Sequence, residues 1–200
     1  MRQFLFFLCI GSLSLAAEIK VTALSGSLRK DSYNKKLVEQ AAKIAQQMGA
    51  SVEVIDLKDY PMALYDGDLE ASKGMPEGAK KFRRLWIESD AILISTPEYN
   101  GSISAALKNA IDWASRTEQG QFSNEAFKGK KFALLSASPG KMGGSAALSH
   151  LRFILERLGG EVVEKQVSIG SAFLYFEGKE PLDLAPLKEE IKELLRASAQ

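Results

Sequence analysis

The sequence predicts an α/β protein in which a parallel β-sheet is covered by helices on both faces. Five short strand-like runs alternate along the chain with five amphipathic helical segments, which is the pattern of a sheet wound on both sides. The run Ala91–Thr96 is apolar without alternation, as expected for a central strand with both faces buried. With 200 residues and neither an internal repeat nor a linker, the chain predicts one domain with a full core.

The first half of the chain predicts two strands, two helices and one long loop. The first helical segment keeps its apolar residues on one face and ends before a glycine. Prolines, glycines and scattered acidic residues follow the second strand and indicate the loop. In chain order the predicted elements are the strand Ile19–Leu24, the helix Lys35–Met48, the strand Val52–Leu57, the loop Lys58–Met75 and the helix Pro76–Glu88.

The second half predicts three strands and three helices. Gly159 and Gly160 close one of these helices, and the last helix is amphipathic. In chain order the elements are the strand Ala91–Thr96, the helix Ser104–Ser115, the polar loop Thr117–Gly129, the strand Lys131–Ala137, the helix Ser145–Leu158, the strand Glu161–Val167 and the helix Asp183–Ala197.

The N-terminus has the pattern of a secretory signal peptide. A charged Arg2 is followed by an apolar stretch that ends in small residues near Ala17, and the stretch is short for a membrane span. The alternatives are a wrongly assigned start or an N-terminal extension of the first strand. Residues 1–17 are therefore interpreted as a leader and residues 18–200 as the domain. The single cysteine, Cys9, lies in the leader, so the mature domain would carry no thiol chemistry.

The net charge, an acidic cluster and the single histidine argue against nucleic-acid binding, metal binding and histidine catalysis. The net charge of +1 provides no basic surface for nucleic acid. The acidic trio Asp66, Asp68 and Glu70 is interpreted as a solvated loop and not as a metal site. The one histidine, His150, lies beside an apolar helical stripe and is interpreted as a surface or interface residue without a catalytic role.

The loop after the first strand has the composition of a phosphate site. It reads SGSLRKDSYN, and Ser25, Ser27 and Ser32 can add hydroxyl groups to the backbone N–H groups at a helix start. Arg29 adds a guanidinium whose geometry matches phosphate oxygens. The loop lacks the glycine spacing of dinucleotide and nucleoside triphosphate loops. The alternative is a solvated loop in which Ser32 only caps the helix.

The loops after the third and fourth strands indicate a slot for a flat ring. In TPEYNGSIS, Pro97 stiffens the strand exit, Gly101 permits a tight turn, and Tyr99 is placed to cover an aromatic ligand whose polar edge meets the amides of Glu98–Asn100. Tyr99 packing against its own loop is the alternative. In SASPGKMGG, the glycines and Ser138 allow a close backbone approach or simply a tight turn. Together the three loops predict a flat heterocycle that carries a terminal phosphate.

The three stretches GSLRKDSYN, PEYNGSISAALKNAIDWAS and SASPGKMGG resemble the signature segments of the NADPH-dependent FMN reductase family, whose members are flavodoxin-like flavoproteins. The resemblance covers about residues 20–177 and implies a flavodoxin-like three-layer sandwich with strand order 2-1-3-4-5. It implies non-covalent FMN, reduced by NADPH or NADH. The residues implied to bind FMN are Ser27, Arg29, Ser32 and Asn34 at the phosphate, Pro97, Glu98, Tyr99, Asn100 and Gly101 at the ring, and Ser138 and Gly140 on the other side.

The resemblance implies a reductase without a catalytic side chain, because the flavin carries the chemistry. Hydride would pass from the nicotinamide to FMN and on to a quinone, a flavin or a similar small acceptor. A flavodoxin-like electron carrier is the alternative, although such carriers are usually strongly acidic. A binding module that has lost FMN would need a damaged phosphate loop. The family also implies a homodimer or homotetramer in the cytoplasm, whereas a genuine leader would imply export without stable membrane insertion.

Overall fold

A computed structural model describes residues 18–199, so the predicted leader lies outside the described residues. The strands form one fully parallel sheet in the order β2-β1-β3-β4-β5, and a further short strand, β6, also pairs with β4. The predicted order 2-1-3-4-5 is therefore confirmed. The strands are β1 (Lys20–Ser25), β2 (Ser51–Asp56), β3 (Ala91–Ser95), β4 (Lys131–Ala137), β5 (Glu161–Val162) and β6 (Val167–Ile169).

Helices cover both faces of the sheet and give the predicted three layers. Two of them, the first and the last, pack with Val21, Ala23 and Leu93 on one face, while three others pack with Leu24, Ile92 and Ile94 on the opposite face. The alternation of strand side chains between the two faces explains why β1 and β3 are apolar on both. The helices are α1 (Tyr33–Gln47), α2 (Gly67–Lys73), α3 (Glu77–Glu88), α4 (Ala105–Ala114), α5 (Ser145–Arg157), α6 (Phe173–Phe176) and α7 (Ala185–Ser198).

The predicted fifth strand Glu161–Val167 is wrong as one continuous strand, because it is broken into β5 and β6. Between them residues 163–166 belong to no strand, although the Val163 N–H still donates to the Phe132 carbonyl of β4 at 2.9 Å. The Arg152 guanidinium on α5 accounts for the break, since it donates hydrogen bonds to the backbone carbonyls of Val162, Val163 and Glu164. These hydrogen bonds satisfy backbone carbonyls that would pair with β4 in an unbroken strand.

The predicted loop Lys58–Met75 contains a helical turn over Leu57–Asp59 and the whole of α2. Asp66 starts α2 by accepting hydrogen bonds from the backbone N–H groups of Asp68 and Leu69. The interpretation of the acidic trio as a solvated loop is wrong for Glu70. Its side chain is only 5% exposed and binds Arg116 through two oxygens, at 2.8 to 3.1 Å. This ion pair fixes the excursion onto the polar loop that follows α4.

A metal-binding cluster and a membrane-spanning helix are both absent from the part of the chain that the structure describes. Within residues 18–199, no group of three or more His, Cys, Asp or Glu side chains is arranged to hold a metal ion. Over the same range, no helix combines the length and the apolarity that crossing a bilayer requires.

Candidate functional site

The loops that follow β1, β3 and β4 meet at the carboxyl edge of the sheet. The Gly26 N–H donates to the Ser95 carbonyl at 2.9 Å, and the Ser104 hydroxyl donates to the Gly26 carbonyl at 2.5 Å. The Ser136 hydroxyl donates to the Thr96 carbonyl at 2.7 Å. These bonds hold the three loops around one crevice, at the place where ligands bind in sheets of this order.

The first loop combines fixed hydroxyls with one exposed cation. Ser27 is buried, and its hydroxyl accepts the Arg29 N–H at 3.3 Å. Ser32 caps α1 by accepting the Asn34 N–H at 3.2 Å. The side chain of Arg29 is exposed, and among residues 18–199 it takes part in no ion pair. A helix N-terminus, serine hydroxyls and a guanidinium together form a site for an anion.

Asn34 is held by the protein itself. Its side-chain amide donates to the Ala137 carbonyl at 2.8 Å and accepts from the Ala137 N–H at 2.9 Å. It also accepts from the Ser95 hydroxyl at 2.9 Å, and Asn34 is only 3% exposed. The amide therefore pairs with β4 as a strand residue would, beyond the point where β3 ends. This pairing fixes the start of α1 relative to β3 and β4.

The second loop forms the turn that the sequence predicts. The backbone of Tyr99 pairs with that of Ser102 through two hydrogen bonds of 2.9 and 3.2 Å. Asn100 and Gly101, between them, have φ values of 53° and 76°. Two successive positive φ angles define a type I′ turn, for which Asn-Gly is the favoured pair. Pro97 is buried at the strand exit, whereas Tyr99 is 48% exposed at the turn.

Glu98 and His150 fasten this turn to α5. One Glu98 carboxylate oxygen accepts the N–H groups of Ala146 and Ala147, at 3.1 and 3.3 Å, at the first turn of α5. The His150 ring nitrogen Nδ1 lies 3.1 Å from the Ser102 hydroxyl, and His150 is exposed, as the sequence analysis expects of a surface residue. A carboxylate at a helix N-terminus is stabilised by the helix dipole. The Glu98 side chain thus acts as a cap for α5.

The third loop is compressed against its neighbours. The Ser138 hydroxyl accepts the Gly140 N–H at 3.1 Å, and the backbone of Ser138 bonds to Ile169 at the end of β6. Gly144 has a φ of 90°, and a Cβ there would lie 1.9 Å from the Ser136 hydroxyl. Only glycine fits at this position. The glycine pair of the motif is therefore required by close packing before α5.

An open cleft of about 350 Å³ lies between the first and second loops. Arg29 and Tyr99 in its walls were predicted from the sequence, whereas five other lining residues were not. Their signal was weak, because small or apolar residues next to a motif resemble ordinary packing. The missed residues are Gly26, Leu28, Ser104, Ala105 and Ala106. They give the cleft a small, mostly apolar side that faces the guanidinium and the tyrosine.

The strand order and the three loops define a flavodoxin-like, mononucleotide-binding class of protein. Comparison with known proteins identifies the family within this class. A sequence profile described as NADPH-dependent FMN reductase matches residues 19–173. The chain belongs to this family.

Two curated relatives and one solved structure are similar over most of their length. The chain is 38% identical to an NAD(P)H-dependent FMN reductase of Pseudomonas aeruginosa over 187 residues, 93% of this chain and 94% of the relative. It is 35% identical to a quinone reductase of Escherichia coli K12, over 78% and 79% of the two chains. The structure of FerB, a flavoenzyme NAD(P)H:(acceptor) oxidoreductase of Paracoccus denitrificans, aligns with a TM-score of 0.70 and 31% identity, covering 90% and 95%.

The protein is an NAD(P)H-dependent flavin oxidoreductase, and its cofactor is FMN. The comparisons give no support to the electron-carrier alternative. The groups present fit this cofactor. A guanidinium and hydroxyls at a helix start suit a phosphate dianion, and an exposed tyrosine beside small residues suits a flat ring.

Proposed function

We propose that the chain binds FMN with its phosphate on the first loop and its ring between the second and third loops. Ser27, Arg29 and Ser32 hold the phosphate, with Asn34 fixing the helix start beneath it. At the ring, Tyr99 borders the slot and Glu98 holds the turn in place. The remaining proposed contacts are Pro97, Asn100 and Gly101 on the second loop and Ser138 and Gly140 on the third. The observation that carries the proposal is the cleft shared by Arg29 and Tyr99.

We propose that the acceptor is a quinone or a similarly small, flat compound. Several curated relatives are named quinone reductases, and the cleft presents both an aromatic and an apolar side. When bound, FMN would supply the hydride chemistry between nicotinamide and acceptor, so no side chain is needed as acid, base or nucleophile. The net reaction converts NAD(P)H, a proton and a quinone into NAD(P)⁺ and a hydroquinone. The residues of the chain contribute binding and orientation.

The test is an anaerobic titration of the purified protein with NADH and NADPH in turn. A bound oxidised flavin gives a yellow protein with absorbance near about 450 nm, and either donor is expected to bleach it. Adding a quinone without oxygen is then expected to restore the colour. A yellow protein that neither donor bleaches would contradict the reductase proposal and favour an electron carrier.

We propose further that the protein is a homodimer or a homotetramer, with the exposed side of α5 in the interface. Phe153 on α5 is 66% exposed and Met142, just before it, is 74% exposed. Large apolar side chains that are left exposed are typical of interaction surfaces. Light scattering of the eluting protein measures the mass. A mass of one chain, 21.9 kDa, at all concentrations would contradict the assembly.

The location depends on residues 1–17, which we propose to be a cleaved leader ahead of a domain beginning at residue 18. A cleaved leader implies export, whereas family resemblance and the need for NAD(P)H imply the cytoplasm. Mass spectrometry of the N-terminus from cell fractions decides between them. A chain starting at Glu18 is expected to be yellow and active, and loss of flavin from it would show that the leader belongs to the domain.

A further inference from the structure

A second cavity of about 350 Å³ adjoins the cleft, between the excursion after β2 and α4. Three residues, Leu28, Ala105 and Ala106, line both cavities, so the two lie side by side. We call the second cavity the side groove. Its further lining comes from the excursion after β2 and from α4, and consists of Leu57, Lys58, Tyr60, Pro61, Met62, Leu64, Asn109 and Ala110.

The side groove is apolar and open at its edge. Leu28 and Leu64 stand at its rim, 45% and 74% exposed. The α4 wall presents Ala106 and Ala110, one helical turn apart, and their small side chains leave the space that larger ones would fill. Among residues 18–199, Lys58 is the one charged residue in the lining, and no carboxylate lines it. Such a surface suits an uncharged hydrocarbon chain.

The outer wall of the groove is fixed in place. The Ala63 carbonyl accepts hydrogen bonds from the Trp113 indole at 2.8 Å and from the Asn109 amide at 3.0 Å. The Asn109 side chain also accepts the Tyr65 N–H at 2.8 Å. On the far side, a Cβ at Gly78 would lie 2.2 Å from the Pro61 carbonyl, so α3 packs directly against the wall. The groove is therefore preformed and does not depend on a ligand to open it.

We infer that the side groove binds an alkyl or prenyl chain carried by the acceptor quinone while the quinone ring lies against the bound flavin at the mouth of the cleft. This inference rests on the proposed function. The shared, exposed Leu28 supports it, because a substituent on a ring at the mouth of the cleft would pass over this side chain to reach the neighbouring groove. The substrate class is thus a quinone with an apolar side chain, and a second copy of the chain seated in the groove is the competing occupant.

The test compares 1,4-benzoquinones that carry unbranched chains from methyl to octyl. Burying a methylene group fully is worth about a fourfold gain in affinity, so kcat/KM is expected to rise about two- to fourfold per added carbon until the groove is full. The gain is expected in KM, with kcat nearly constant, since the chain does not touch the reacting ring. A kcat/KM that is flat across the series would overturn the inference.

Two variants test whether the dependence of kcat/KM on chain length arises in the side groove. Leu64→Asp places a carboxylate on the rim, where the exposed position tolerates it, and is expected to collapse the octyl-to-methyl ratio of kcat/KM toward one. Phe122→Asp changes an equally exposed apolar residue that lines neither cavity, and the ratio is expected to persist. A flat ratio in the wild type, together with a lower oligomeric mass of Leu64→Asp, would assign the groove to a subunit contact.

Calorimetry separates failure of this inference from failure of the proposed function. Titration of the protein as purified with the methyl and octyl quinones gives Kd values that need no turnover. Tighter binding of the octyl compound, lost in Leu64→Asp, supports the groove even if neither nicotinamide reduces the flavin. Equal Kd values for the two compounds would overturn the groove while the reductase activity stands.

Discussion

The Glu190 carboxyl accepts a hydrogen bond from the backbone N–H of Leu134 at 2.8 Å, at the level where β5 has left the sheet. Arg152 holds the carbonyls that Leu134 would meet in an unbroken strand, so Glu190 supplies the missing acceptor. The side chain is fully buried, and its second oxygen has no partner among the described residues. A carboxylic acid, and not a carboxylate, suits this environment.

Burial raises the pKa of Glu190 to about 8, although the N–H groups of Leu134 and Val167 and the charge of Arg152 oppose the rise. Glu193 on α7 raises it further. The folded state therefore keeps a proton that the unfolded chain releases near 4.5, and the free energy of unfolding is expected to fall as pH rises between these values. The loss is complete above about 8.

Glu190→Gln tests this by keeping the acceptor oxygen and removing the titration. Urea unfolding from about pH 6 to pH 9 is expected to show a falling stability in the wild type and a flatter profile in the variant. Glu189→Gln, at an exposed neighbouring position, is the control and is expected to keep the wild-type slope. Parallel profiles for the wild type and Glu190→Gln would show that Glu190 does not titrate in this range.

The Glu70–Arg116 pair is expected to stabilise the excursion that carries the side-groove wall. Hydrogen bonds from Arg116 lower the pKa of Glu70, and the charge of Arg116 and the Tyr65 hydroxyl lower it further. The pair therefore contributes its full folding stability above the unfolded pKa of 4.5, and this stability is lost as pH falls through the lower pKa of the folded state. Glu70→Gln leaves a mostly buried guanidinium without its counter-charge and is expected to cost on the order of 3 kcal/mol. Urea unfolding measures the cost.

The double variant Glu70→Met/Arg116→Met is the control for that pair. Removing both charges leaves neither unpaired, so the double variant is expected to lose less stability than the two single changes added together. Additive losses would mean that the two side chains contribute independently.

Arg29→Ala is expected to weaken FMN binding with little effect on the flavin-free fold, because the Arg29 side chain is exposed. A charge-assisted phosphate contact is worth on the order of 1.5–3 kcal/mol, roughly ten- to a hundredfold in Kd. Fluorescence titration of the flavin-free protein measures this Kd. The matched control is Lys30→Ala, the adjacent exposed cation outside the cleft, for which a smaller change is expected. Equal increases of the FMN Kd in Arg29→Ala and Lys30→Ala would contradict the assignment of Arg29 to the phosphate site.

Asn34→Ala is expected to behave differently, because the amide is a structural bridge. The change leaves the N–H and C=O of Ala137 and the Ser95 hydroxyl without this partner, at a cost on the order of 3 kcal/mol to the flavin-free protein. FMN affinity is expected to fall together with stability. If the affinity fell while urea unfolding of the flavin-free protein stayed unchanged, Asn34 would be a direct ligand and not a bridge.

The strands, the helices and the three loops could be predicted from periodicity and turn residues, because these are local signals, whereas the strand order came from the resemblance to the family. Asn100-Gly101 fixes its turn by its own backbone preference. The broken fifth strand could not be predicted, since the break depends on Arg152 and Glu190, which lie on two helices packed against opposite faces of the sheet. The hydrogen bonds between Asn34 and Ala137 could not be predicted for the same reason, because the two residues lie 103 positions apart.

Tyr99→Ala is expected to raise the KM for donor and acceptor and to shift the visible spectrum of the bound flavin. The ring is 48% exposed in the cleft wall, and the turn beneath it is held by its own backbone pairing with Ser102, so its removal is expected to leave the fold intact. Tyr99→Phe retains the ring and is expected to keep both the spectrum and the KM near wild type, because an aromatic contact needs no hydroxyl. The measurements are steady-state kinetics with NADPH and a small quinone, the flavin spectrum, and far-UV circular dichroism as the check on folding. If Tyr99→Ala kept the wild-type kinetics and flavin spectrum, Tyr99 would only pack against its own loop, and the ring of FMN would bind elsewhere along this edge of the sheet.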